Sequence, residues 1–94
     1  MNKTYRVVFS SKASKQMLSL EKRERKADFE KLEKLLKGIE THPRIGTGHP
    51  EQLKYRQGEV WSRKVNKKDR IVYRIYEETI FIEIESTLGH YQDK

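Results

Sequence analysis

One carboxylate, one histidine and a group of cations stand in three short blocks in the second half of the chain. The blocks are Gly46-Thr47-Gly48-His49-Pro50-Glu51-Gln52-Leu53-Lys54, then Trp61-Ser62-Arg63-Lys64 through Arg70-Ile71-Val72-Tyr73, then Gly89-His90-Tyr91. Such a set suits cutting RNA without a metal. RNA carries its own nucleophile, the 2′-OH, so the protein need supply only a base for that proton, an acid for the leaving 5′-oxygen and cations for the charge that builds on phosphorus. Glu51 is the candidate proton acceptor, His90 the candidate donor, and Arg63, Lys64 and Arg70 offer positive charge. Each has a plainer reading: Glu51 after Pro50 suits a turn, His90 suits an exposed terminus, and Arg70 suits an ordinary sheet face. Trp61 fits either a platform for a stacked base or simple packing.

These residues work together only if a small fold gathers them. With 94 residues the chain is expected to be one domain, residues 1–94, around one modest core. The absence of cysteine excludes disulfides, thiolate metal sites and a cysteine nucleophile. The histidines at 42, 49 and 90 have neither HxxxH nor HExxH spacing, so no metal and no cofactor are expected. Charge interrupts every apolar run near the N-terminus, and no stretch approaches the roughly 20 apolar residues of a membrane span. The chain therefore reads as a soluble cytoplasmic protein. Its net charge of +7 and pI near 9.7 point to an anionic partner. Between Lys54 and Arg74, eight Lys/Arg face two Asp/Glu, which makes that segment the electrostatic focus.

The elements follow from periodicity. Tyr5, Val7 and Phe9 alternate as in a first strand, and Ser10 or Ser11 can cap a helix whose stripe is Ala13, Met17 and Leu20. A second helix is predicted from about Lys22 to Glu40, with Phe29, Leu32, Leu35, Leu36 and Ile39 on its apolar face and charges paired around the rest. His42-Pro43 should end it, because the residue before proline is pushed out of the α region. Three strands are predicted over about Glu59–Val65, Arg70–Tyr76 and Thr79–Ser86, with turn chemistry in Asn66-Lys67-Lys68-Asp69 and a tight hairpin at Glu77-Glu78. Ile71, Tyr73 and Ile75, with Ile80, Ile82 and Ile84, form a core face for the helices. Arg70, Val72, Arg74 and Tyr76 are left on an open face. A two- or four-residue loop before Arg70 brings Arg63 beside it; a three-residue loop with a bulge brings Lys64.

The ordered set Gly-x-Gly-x-Pro-Glu-x-Leu-Lys (46–54), Trp-Ser-Arg (61–63), an Arg-hydrophobic-Val-Tyr strand (70–73) and a late His-Tyr (90–91) resembles the YoeB/Txe toxins of bacterial toxin–antitoxin modules, within the RelE superfamily. The likeness is strong over about half the chain and agrees elsewhere in element order. Where many relatives have two arginines after the serine, this chain has Arg63-Lys64, which keeps the charge but loses a planar fork. Residues 92–94 follow Tyr91, so that tyrosine is not the last residue of the sequence.

The resemblance implies an α+β, RelE-like fold, two helices on one face of a mainly antiparallel four- to five-stranded sheet. It implies cleavage of mRNA in the ribosomal A site with Glu51 as base, His90 as acid and Arg70 as the clamp on the transition state. Lys54, Lys64 and Tyr91, with Arg63, would bind RNA or hold the scissile phosphate. The partners it implies are mRNA on the 70S ribosome, with contacts to rRNA, and a cognate acidic antitoxin whose C-terminal segment folds on binding and covers the basic face. The toxin itself would act as a monomer or a homodimer. Two other readings stand beside it: a ParE-like toxin that poisons gyrase, and a basic RNA-binding module that cuts nothing.

Overall fold

A computed structural model describes residues 3–89. Strand β1 (Arg6–Phe9) leads into helix α1 (Ser11–Lys22) and helix α2 (Lys26–Thr41). Four more strands follow: β2 (Glu51–Gln52), β3 (Glu59–Lys64), β4 (Arg70–Tyr76) and β5 (Phe81–Ser86). They form one sheet in the order β1-β5-β4-β3-β2, in which β1 runs parallel to β5 and every other neighbour is antiparallel. This is the expected α+β architecture, with five strands.

The helices start and stop for local reasons. The Ser10 hydroxyl accepts from the Ala13 N–H at 3.0 Å and caps α1, whose Ala13 and Leu20 are buried. The second helix begins at Lys26 rather than Lys22, because Glu24 takes a left-handed φ of 56° and breaks the run between the two helices. Asp28 in its first turn pairs with Arg25 and sits favourably against the helix dipole. Helix α2 ends at Thr41, just before His42-Pro43, as expected.

Leu20, Leu32, Leu35 and Ile39 from the helices pack on Ile71, Tyr73 and Ile75 of β4 and on Ile82 and Ile84 of β5. Each such side chain stabilises the fold by about 1.5–3 kcal/mol. Trp61 also packs against this core and donates from Nε1 to Glu59 at 2.9 Å, so its role is packing rather than an open stacking platform. The expected tight hairpin at Glu77-Glu78 is instead a 3-10 turn (Glu77–Thr79) followed by Ile80 at φ 52°, which delays β5 to Phe81.

The loop that carries the chain into β2 is pressed against the core. Gly48 has φ 85°, and its carbonyl accepts from the Lys64 N–H at 2.7 Å. A Cβ there would lie 2.9 Å from Leu35 Cδ2 and 3.2 Å from the Lys64 carbonyl oxygen. Gly48→Ala should therefore cost about 1–3 kcal/mol, from the strained φ and the crowding together. Urea denaturation checks this; an unchanged midpoint would show that the loop shifts freely.

Candidate active site

Strand register decides which cation joins Arg70. The turn between β3 and β4 closes with the Val65 N–H on the Asp69 carbonyl at 3.0 Å, leaving three residues in the loop. Lys64 therefore pairs with Arg70, Ser62 with Val72 and Val60 with Arg74, and each pair shares the face turned away from the helices. Across the next ladder Glu51 pairs with Ser62. Glu51, Ser62, Lys64 and Arg70 thus meet at one end of that face.

Arg63 corrects the sequence reading. Alternation sends it to the opposite, helix-covered face, where it is fully buried. Its Nε donates to the Tyr73 hydroxyl at 3.0 Å, Nη1 to the Thr47 carbonyl at 3.2 Å, and Nη2 to the carbonyls of His42 and Ile45 at 2.7 and 2.9 Å. Tyr73 in turn donates to the Pro43 carbonyl at 2.6 Å. Burial raises the Tyr73 pKa against the opposing pull of Arg63, so the phenol keeps its proton and its donor role. The arginine is an internal anchor for the loop 42–47 and has no access to an RNA phosphate.

The expected open face is also half closed. Leu53, two residues beyond Glu51, packs on Val60 and Val72, so Val72 is buried rather than exposed. Arg56 reaches Glu85 at 2.9 Å, and Arg74 donates to Glu85 at 3.2 Å and to the Gln57 carbonyl at 2.6 Å. Glu85 is available for both because the β4–β5 register shifts between Val72 and Tyr73, leaving it opposite no residue of its own. Two of the cations in the basic segment are thereby engaged, at a distance along this face from Lys64 and Arg70.

There the Arg70 Nη1 donates to Ser62 Oγ at 2.9 Å and lies 3.7 Å from Glu51 Oε1. Arg70 is held with 21% of its side chain exposed, whereas Glu51 is 63% exposed. The ion pair is too long for a hydrogen bond and too exposed to tie the carboxylate down. A fixed guanidinium whose remaining N–H donors meet no acceptor among the described residues, beside an accessible carboxylate, is a geometry for binding a phosphate next to a proton acceptor. Lys64 and Lys54 are exposed, Lys64 on the Arg70 face and Lys54 at the start of the covering segment. His90 and Tyr91 lie outside the described residues. The Gly89 carbonyl accepts from the Arg70 N–H at 3.1 Å.

Two elements of this site were missed in the sequence. Ser62, which orients Arg70, could have been found by counting two residues back from Lys64. The polar group Arg25, Asp28, Asn66, Asp69 was missed because its two halves, Arg25 with Asp28 and Asn66 with Asp69, are far apart in the chain. Asn66 donates to Asp28 Oδ1 and Asp69 Oδ2, both at 3.1 Å, and Arg25 reaches Asp69 Oδ2 at 3.3 Å.

Acid sensitivity follows from such carboxylates. Burial pushes Asp69 upward, but the Gly89 N–H, the Asn66 amide and Arg25 together hold it below its usual value. The Asn66 amide and then Arg25 lower Asp28, and Arg44 and then Trp61 lower Glu59. Glu77 is brought down to about 2 by Lys3 first, then by Arg44 and Tyr5. A folded pKa below the unfolded one contributes stability that is fully present above the unfolded value of roughly 4 and is lost as pH falls through the folded value. The urea midpoint should stay level from about pH 7 to 5 and drop below about pH 4. Arg44→Ala should make that acid limb shallower; an unchanged limb would discount the Arg44 network.

A profile of YoeB-like toxins of bacterial type II toxin–antitoxin systems matches residues 3–91. The toxin YoeB of a Synechocystis species is 40% identical over 58 residues, which is 62% of this chain and 65% of that relative, so the aligned stretch spans under two thirds of it. The structure of a YoeB dimer from Staphylococcus aureus superposes with a TM-score of 0.82 at 29% identity, covering 94% of this chain and 99% of that one. A heterotetrameric YoeB–YefM toxin–antitoxin complex from the same organism gives 0.78 at 30% identity, covering 93% and 98%.

Proposed function

The chain belongs to the YoeB-like toxins of bacterial type II toxin–antitoxin systems, and on that premise we propose that it is a ribosome-dependent endoribonuclease that cuts mRNA in the A site. The observation that carries this reading is the meeting of Glu51 and Arg70 at 3.7 Å, with Arg70 half-buried and fixed by Ser62 and Glu51 open to solvent. Glu51 takes the 2′-OH proton. Arg70 and Lys64 stabilise the extra charge on phosphorus, and the liberated 5′-oxygen is protonated by His90. Lys54 and Tyr91 hold the substrate. Because the nucleophile belongs to the RNA, orientation on the ribosome supplies much of the rate.

A toxin of this kind needs restraint. The YoeB–YefM complex supports a proteinaceous antitoxin for this chain, and the basic end of the sheet suits an acidic segment. The YoeB dimer supports self-association. No helix of the described residues is long and apolar enough to cross a membrane; the proposed action on ribosomes supports a cytoplasmic location.

Primer extension on a defined mRNA with purified ribosomes tests the proposal, using wild type, Glu51→Ala and His90→Ala side by side. Wild type should leave a cut within the A-site codon, and both variants should lose it while remaining folded. No wild-type cut removes the nuclease reading and directs attention to gyrase. A cut indifferent to both changes leaves the activity and discards the acid–base assignment.

A further inference from the structure

Gly89 has φ 108°, and among the described residues nothing lies within 4 Å of where a Cβ would be, so no side-chain packing there and no backbone preference of its own fixes the chain. What holds it is a pair of consecutive residues. Asp69 Oδ1 accepts from the Gly89 N–H at 2.9 Å, and the Arg70 N–H donates to the Gly89 carbonyl at 3.1 Å. Asp69 is itself 5% exposed and firmly oriented. Its Oδ2 receives Asn66 and Arg25, which leaves Oδ1 for Gly89, and Asn66 Oδ1 accepts the backbone N–H groups of Lys68 and Asp69 at 2.8 and 2.7 Å. Asn66 and Arg25 are bound in turn to Asp28 on α2. The strand turn, the second helix and the end of the described chain are therefore locked together one residue before Arg70.

We propose that Asp69 is a positioning residue of the nuclease: by holding the turn and Gly89 against the backbone of Arg70, it sets where the Arg70 guanidinium stands in the site. The inference rests on the reading of Arg70 as the clamp on the transition state. Asp69 touches no reacting atom; it acts by removing the freedom that glycine would otherwise give that junction. A displacement of about 1 Å in a catalytic group can cost on the order of a hundredfold in rate.

The test is single-turnover cleavage on programmed ribosomes by wild type, Asp69→Ala and Asp69→Asn, joined to amide exchange at Gly89. Asp69→Ala should cut about 10- to 100-fold more slowly at saturating ribosomes, while the half-saturating ribosome concentration moves less than about threefold. Asparagine keeps an acceptor for Gly89 but turns a donor toward Asn66 and Arg25, so Asp69→Asn should recover the rate only in part. The Gly89 amide should be protected in wild type, partly protected in Asp69→Asn and unprotected in Asp69→Ala, with Ile71 and Tyr73 unaffected. If Asp69→Ala does not fold, Arg25→Ala carries the test, with a several-fold slower cut at unchanged half-saturation expected. A wild-type rate in the variant that folds overturns this proposal alone. A wild-type protein that makes no cut overturns the nuclease reading and this proposal with it.

Discussion

Arg70→Ala is expected to slow A-site cleavage by about a hundred- to a thousandfold, the loss typical of removing one preorganised donor from a developing anion. Stability should fall by no more than about 1–3 kcal/mol, the cost of depriving the buried Ser62 hydroxyl of its donor, because the contact with Glu51 is long and open on the carboxylate side. Exposed ion pairs of that kind are worth about 0–1 kcal/mol. Arg70→Lys should recover only part of the rate, since an ammonium keeps the charge but cannot hold Ser62 Oγ and a phosphate oxygen in one plane. Ser62→Ala should show a smaller fall in the same direction, through loosened orientation of the guanidinium. Single-turnover rates on ribosomes, read beside thermal melts, decide the matter. A folded Arg70→Ala protein that cuts within about threefold of wild type would remove Arg70 from the chemistry.

Arg63→Ala should do the reverse and damage the fold. The change strands carbonyls of His42, Ile45 and Thr47 and the Tyr73 hydroxyl, and leaves a cavity beneath the loop. Each buried group deprived of its donor costs about 1–3 kcal/mol, and removing one member of a buried charged network costs about 3–5 kcal/mol. Against the ~5–15 kcal/mol of a domain this size, the melting temperature should fall by well over 10 °C. Tyr73→Phe, which removes one link of the chain to Pro43, should cost about 1–3 kcal/mol. The neighbouring residue provides the contrast. Lys64→Ala should leave stability within about 0.5 kcal/mol while weakening cleavage and its dependence on salt. If Lys64 proved the more destabilising position of the two, the register placing Lys64 beside Arg70 would be wrong.

That pair also marks where the sequence stops being legible. Strand β4 was readable to its ends because Ile71, Tyr73 and Ile75 alternate without interruption, and the helical stripes were equally plain. Which of Arg63 and Lys64 faces Arg70 depended on the number of residues in one turn, and composition allowed either. The β2 strand was missed because two residues carry no period of their own; their pairing is supplied by β3. The cover over Val72 was invisible for a similar reason, since Leu53 shares no local pattern with Val60 and Val72. Part of the positive charge in the basic segment was read as available to a ligand, but Glu85 and the loop carbonyls engage Arg56, Arg74 and Arg63. Charge counted along a chain does not reveal which cations are already satisfied across it.

The parallel pairing of β1 with β5 joins Arg6 to Phe81. Those partners are separated by nearly the whole described chain, so closing that edge forms the largest loop in the fold. The entropic penalty grows only slowly with loop length, but it must be met before the pairing contributes anything. Helices α1 and α2 can assemble from local contacts, whereas β1 has no strand partner until β5 is in place. Refolding should therefore be slower than for a helical protein of this length, and the first strand should gain its protection last. A chain interrupted before β5 would keep Glu51, Lys64 and Arg70 in its sequence yet lack the sheet edge that completes the body around them.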